Sequence, residues 1–113
     1  MSERGKLRIA VIGQGRMGRA VVTEATRRGH EIVAAVGGSG NRDLRELTVA
    51  GLGGADVAIE FTTPDAAPAV VGRLVDLGVA VVSGTTGWAE GLAAVRAAVE
   101  RRGGALLHAS NFS

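Results

Sequence analysis

The chain has no cysteine among its 113 residues, one tryptophan, two phenylalanines and no tyrosine. Without cysteine there are no disulfides, no thiolate nucleophile and no zinc–thiolate site. No apolar run approaches the roughly 20 residues that cross a bilayer. The N-terminal Met1-Ser2-Glu3-Arg4-Gly5-Lys6 is charged, but Gly13 interrupts the apolar run that follows, so no secretory core forms. These absences predict a cytoplasmic protein. Nucleic-acid binding is disfavoured on similar grounds. The net charge is only +2, the arginines are scattered, and aromatics make up 3%, so there is no basic stripe with stacking residues.

Hydrophobic residues make up 46% of the chain, enough to argue against disorder and for one domain with a real core. Glycine is abundant, and much of it falls where apolar runs end. The chain is organised around Ile9-Ala10-Val11-Ile12-Gly13-Gln14-Gly15-Arg16-Met17-Gly18-Arg19. An apolar run stops at a glycine, two further glycines complete the spacing G-x-G-x-x-G, and a helical pattern begins. This fits a strand turning into a helix against a diphosphate. Gly13 allows the tight turn, Gly15 admits the phosphate, and Gly18 lets the helix pack on the strand. The free N–H groups and positive dipole end of the helix hold the anion. The competing reading is a glycine-rich turn with no ligand.

The first strand is expected at Leu7 to Ile12 and the first helix at Arg16 to Arg28, with Met17, Ala20, Val21 and Ala25 on its inner face. Gly29 ends that helix. A second strand follows at Ile32 to Val36, a loop at Gly37-Gly38-Ser39-Gly40-Asn41 and a short helix at Asp43 to Val49. Gly51 to Gly54 breaks the chain again, and Asp56 to Phe61 is a third strand. Thr62-Thr63-Pro64-Asp65 reads as a helix start, with a threonine cap, an early proline and an acid at the positive end. Ala67, Val70, Val71 and Leu74 form the buried stripe of that helix, and Gly78 closes it. Val79 to Ser83 is a continuous apolar strand, typical of a sheet covered on both faces. After the loop Gly84-Thr85-Thr86-Gly87, a helix runs from Trp88 to Arg102 with Leu92, Val95 and Val99 inward. The last strand is Ala105 to Ala109. The alternation predicts an α/β fold, a doubly wound parallel sheet in a single domain with no internal repeat. Its ligand belongs beyond the C-terminal ends of the strands.

In such a fold an acid at the end of the second strand commonly binds the adenosine ribose. Here Val36 is followed by Gly37-Gly38, and Glu31 lies at the opposite end. The missing acid leaves NADPH possible, and Ser39, Asn41 and Arg42 are candidate donors to its 2′-phosphate or else ordinary loop residues. Thr85 and Thr86 offer hydroxyls to a ribose or carboxamide, or Thr86 simply caps the next helix. Trp88 and His108 read as packed residues, and His30 as a surface turn residue. Glu60, at a strand end, is a candidate acid or base without an evident partner. No catalytic residue and no metal site is assigned.

Four segments together resemble the N-terminal domain of the 4-hydroxy-tetrahydrodipicolinate reductase (dihydrodipicolinate reductase) family of bacterial lysine and diaminopimelate synthesis. They are Val11 to Arg19, Asp56 to Pro64, Val82 to Trp88 and Ala109-Ser110-Asn111-Phe112-Ser113. The resemblance implies a Rossmann-type domain binding NADPH or NADH. It implies that Gly13, Gln14, Gly15, Arg16, Met17 and Gly18 cradle the diphosphate and that Phe61 and Thr62 line the ribose path. It implies that Gly84, Thr85 and Thr86 hold the nicotinamide end with backbone from Ala109, Ser110, Asn111 and Phe112. It further implies reduction of 4-hydroxy-tetrahydrodipicolinate with loss of water, and a homo-oligomer, a tetramer, in the intact enzyme.

Three departures qualify this. The glycine loop is one residue shorter than the family's commonest form, Gly37-Gly38 replaces the acid of the second strand, and the family's histidine-rich and serine-glycine-threonine substrate segments do not occur. The expectation is therefore a cofactor domain of residues 1–113 that ends at the hinge to a missing substrate domain and is inactive alone. The alternatives are the nucleotide domain of another dehydrogenase, such as a homoserine or aspartate dehydrogenase relative, and a non-catalytic NAD(P)-sensing module.

Overall fold

A computed structural model describes residues 5–37 and 47–108. Among them, five strands and three helices alternate: β1 (Arg8–Ile12), α1 (Arg16–Arg27), β2 (Glu31–Val36), β3 (Val57–Glu60), α2 (Ala67–Asp76), β4 (Ala80–Ser83), α3 (Ala89–Arg102) and β5 (Leu106–His108). All pairings are parallel, in the order β2-β1-β3-β4-β5. The expected α/β Rossmann-like fold is present. Strand order reverses between β1 and β3, and such a switch point opens a crevice at the carboxyl ends of the strands.

Side chains alternate across a strand, and here each face has its own cover. On one face Ile9 and Val11 meet Val57 and Ile59, closed over by Val21, Val22 and Ala25 of α1. On the other, Ala10, Ile12, Ala58 and Val81 pack under Val70, Val71, Leu74 and Val75 of α2 and Val95 of α3. Leu47 and Leu52 complete that second core. Double cover explains why the strands read as nearly unbroken apolar runs.

The expected stripe of α2 is buried throughout. The inner face of α1 is rotated by about one residue from the expected one: Gly18 and Ala25 are buried, Val21 and Val22 half-buried, and Met17 and Ala20 exposed. Two spacings fit the same apolar letters, and the close approach of Gly18 to β1 selects this one. Thr62-Thr63-Pro64-Asp65 does not begin a helix. Residues 64–66 form a turn, in which Thr63 accepts the Ala66 N–H at its carbonyl (3.0 Å) and hydroxyl (3.3 Å), and α2 starts at Ala67 with Pro68 in its first turn. The Thr62 hydroxyl points away from α2 and donates to Glu60. The helix expected over Asp43 to Val49 falls largely outside the described residues, and residues 47–49 are not helical. Strand and helix ends otherwise differ from expectation by one or two residues.

Candidate functional site

The first turn after β1 is built around two glycines that the protein itself requires. The Gly13 N–H donates to the Val36 carbonyl (2.7 Å), which joins the turn to the end of β2. Its φ of +104° suits glycine, and a Cβ there would lie 1.9 Å from the Phe61 carbonyl oxygen. A Cβ on Gly18 would lie 1.8 Å from the Gly13 carbonyl oxygen and 3.7 Å from Val11 Cγ1. Gly13 and Gly18 therefore carry no side chain because backbone fills the space.

Gly15 differs. It is the N-cap of α1, extended at φ −77°, and a Cβ on it would meet nothing within 4 Å. Among the described residues no side chain caps α1, and no acid occupies its first turn, so its leading N–H groups have no carboxylate of the helix itself to match them. The space in front of Gly15 opens into a cleft of about 320 Å³, lined by the residues from Gly15 to Gly18 and by Phe61, Thr62, Pro64, Gly84, Thr85 and Thr86. A positive helix end, bare backbone and a concave wall together suit an extended anion.

The opposite wall is held by Glu60, which is completely buried. Its Oε1 accepts from Ser83 Oγ (2.6 Å). Its Oε2 accepts from the Thr62 N–H (2.9 Å), from Thr85 Oγ1 (2.5 Å) and from the Thr62 hydroxyl. Thr85 Oγ1 in turn accepts from the Thr62 N–H at 2.8 Å. The parallel register that places Glu60 beside Ser83 brings these groups together. A buried carboxylate without a cation needs such donors, and no ion pair among the described residues involves it. Glu60 has the partners that its sequence context did not reveal, and its role is to tie the loops after β3 and β4.

The same closure engages the rest of the Gly84 loop. The Gly84 N–H donates to the Glu60 carbonyl (2.8 Å), and a Cβ on Gly84 would lie 2.1 Å from Cε1 of the Phe61 ring. The Thr85 carbonyl accepts from Trp88 Nε1 (2.7 Å) and His108 Nε2 (2.9 Å). The second contact requires the His108 proton to be on Nε2. Trp88 and His108 meet edge to face at 5.7 Å. Both are packing residues, as expected. Thr86 is exposed on the cleft and is not a cap, since α3 has no side-chain cap bond. His30 is half-buried and its Nδ1 accepts the Leu7 N–H (3.0 Å).

The structure thus gathers Gly13, Gln14, Gly15, Arg16, Met17, Gly18, Thr62, Gly84, Thr85 and Thr86 at one sheet edge. Ser39, Asn41, Arg42 and Ala109 to Phe112 lie outside the described residues. Among the described residues no cluster of potential metal ligands occurs and no helix is long and apolar enough to cross a membrane.

Comparison with known proteins agrees with this architecture. The family described as "Dihydrodipicolinate reductase, N-terminus" matches residues 7–112. A 4-hydroxy-tetrahydrodipicolinate reductase of Beutenbergia cavernae is 42% identical, covering 95% of this chain and 42% of its own length. Those of Christiangramia forsetii and Natronomonas pharaonis are 35% and 36% identical, each over 95% of this chain and over 43% and 46% of their own lengths. The chain spans less than half the length of these relatives. The chain belongs to the dihydrodipicolinate reductase family and corresponds to its N-terminal portion.

Proposed function

We propose that this chain binds a pyridine dinucleotide, NADPH or NADH, along the cleft at the switch point. The observation that carries the reading is the contrast among the three glycines. Gly13 and Gly18 are needed by the protein's own packing, whereas the space before Gly15 is filled by nothing in the described chain. In this reading the backbone from Gly15 to Gly18 receives the diphosphate, with Gln14, Arg16 and Met17 beside it. Phe61 and Thr62 form the floor toward the ribose, and Gly84, Thr85 and Thr86 flank the nicotinamide end with Ala109, Ser110, Asn111 and Phe112. Because the Thr85 hydroxyl and carbonyl are already engaged, its contribution there is a fixed backbone, while the exposed Thr86 hydroxyl bonds to none of the described residues.

The bound cofactor supplies the hydride, and the chain's part is to hold and orient it. The rigid Glu60 network would keep the wall in place while the cofactor docks. We further propose that residues 1–113 are the cofactor domain of a longer reductase acting on 4-hydroxy-tetrahydrodipicolinate, as the names of the relatives suggest. The substrate site and proton donor then belong to another part of that enzyme, so the 113-residue chain alone is expected to show no turnover.

Calorimetric titration of the folded chain with NADPH and NADH tests the binding reading. Saturable binding of either supports it. A folded chain that binds neither overturns it. Measurable reductase activity of the 113-residue chain would overturn the assignment of the proton donor to another part of the enzyme.

A further inference from the structure

At the end of β2, where an acid commonly meets the adenosine ribose, stands Gly37. Its φ is not positive, so its backbone imposes no need for glycine. What crowds the position is Gln14: a Cβ on Gly37 would lie 3.0 Å from Gln14 Cγ and 3.1 Å from Gln14 Cβ, so Gln14 would have to shift by a few tenths of an ångström to make room for it. The pairing of Ile12 with Val36 and the bond from the Gly13 N–H to the Val36 carbonyl set residues 14 and 37 side by side. The half-buried Gln14 side chain therefore covers the place a β2 side chain would take. Its Nε2 donates one proton to the Gly13 carbonyl (3.1 Å), which orients the amide. Among the described residues, Oε1 and the second Nε2 proton have no partner.

We propose that Gln14 is the residue that meets the adenosine ribose, in place of a β2 carboxylate, and that Gly37 lacks a side chain to admit it. This inference rests on the dinucleotide reading above. The amide offers an acceptor to a ribose hydroxyl and a donor to a 2′-phosphate, and it carries no charge to repel that phosphate. A carboxylate at the same place would accept from the hydroxyl and turn the phosphate away.

The test is calorimetric measurement of Kd for NADH and NADPH with the 113-residue chain and its Gln14→Glu and Gln14→Ala variants, each checked for folding by circular dichroism. Gln14→Glu is expected to weaken NADPH at least about tenfold more than NADH, by like-charge repulsion. Gln14→Ala is expected to weaken NADH by about threefold to tenfold, the loss of one hydrogen bond. If the wild-type chain binds and Gln14→Glu shifts both cofactors equally, or neither, the inference fails while the dinucleotide reading stands. If the wild-type chain binds neither, both fail. Should Gln14→Glu not fold, Gln14→Ala decides, and unchanged affinity for both cofactors overturns the inference.

Discussion

Gly18 sits directly against Gly13, with the position of a Gly18 Cβ only 1.8 Å from the Gly13 carbonyl oxygen. The obstacle is backbone, which cannot swing aside as a side chain does. Gly18→Ala is therefore expected to destabilise the chain by about 3 kcal/mol through overpacking. Gly15→Ala, at an extended backbone facing open space, should stay within about 1 kcal/mol of wild type and yet weaken dinucleotide binding at least about tenfold. Urea unfolding and calorimetry on the same two variants separate the effects.

Glu60 joins the ends of β3 and β4 and the loops that follow them through four donors. Glu60→Ala strands the Thr62, Ser83 and Thr85 groups and should cost about 3 kcal/mol or more. Glu60→Gln keeps the shape but replaces one acceptor with a donor, and should cost about 1–3 kcal/mol. Denaturant unfolding measures both, with Ser83→Ala, which removes one bond, as the smaller reference.

Thr85 and Thr86 are adjacent and opposite in role. Thr85→Val breaks the bonds to Glu60 and from Thr62, and should lower stability by about 1–3 kcal/mol. Thr86 is exposed and caps nothing, so Thr86→Ala should change stability by less than about 0.5 kcal/mol. Its effect is expected in dinucleotide affinity instead, read by calorimetry.

Gly84 leaves room for the Phe61 ring. Gly84→Ala should displace that ring and disturb the cleft wall, whereas Phe61→Leu in the same chain should relieve part of the clash. A double-mutant cycle on stability is expected to show coupling of about 0.5–3 kcal/mol between the two sites.

Glu24 bonds Arg27 (2.6 Å) and Arg28 (2.6 Å) on the exposed face of α1. The hydrogen bonds to Arg27 and then Arg28 lower its pKa from the usual 4.5 to about 2. A lowered carboxylate pKa stabilises the fold at pH values above the unfolded-state value. That contribution is lost as pH falls from about 4.5 to about 2. Because the pair lies on the solvent-facing side of the helix, that contribution should be small and screened by salt. NMR titration of the Glu24 carboxyl should show the low midpoint and its rise in strong salt, and Glu24→Gln should leave dinucleotide affinity unchanged.

The chemistry of the chain's own letters determined the fold class. Apolar runs of strand length, glycines at their ends and helical stripes between them allow little besides a parallel sheet covered on both faces. The glycine spacing likewise marked the turn after β1, because backbone crowding at Gly13 and Gly18 is a local matter. Tertiary structure decided what depends on neighbours distant in sequence. The Glu60 network arises only because parallel register puts residue 60 beside residue 83, about twenty positions away and invisible to any local pattern. That network holds Thr62 against Glu60, and α2 starts at Ala67. Packing against β1 chose which apolar residues of α1 face inward, since two rotations of the same helix bury similar letters. The pairing of Gln14 with Gly37 exists only because β1 and β2 end side by side. Periodicity is carried along one element and can be read there, whereas contacts between element ends are set by how the sheet assembles.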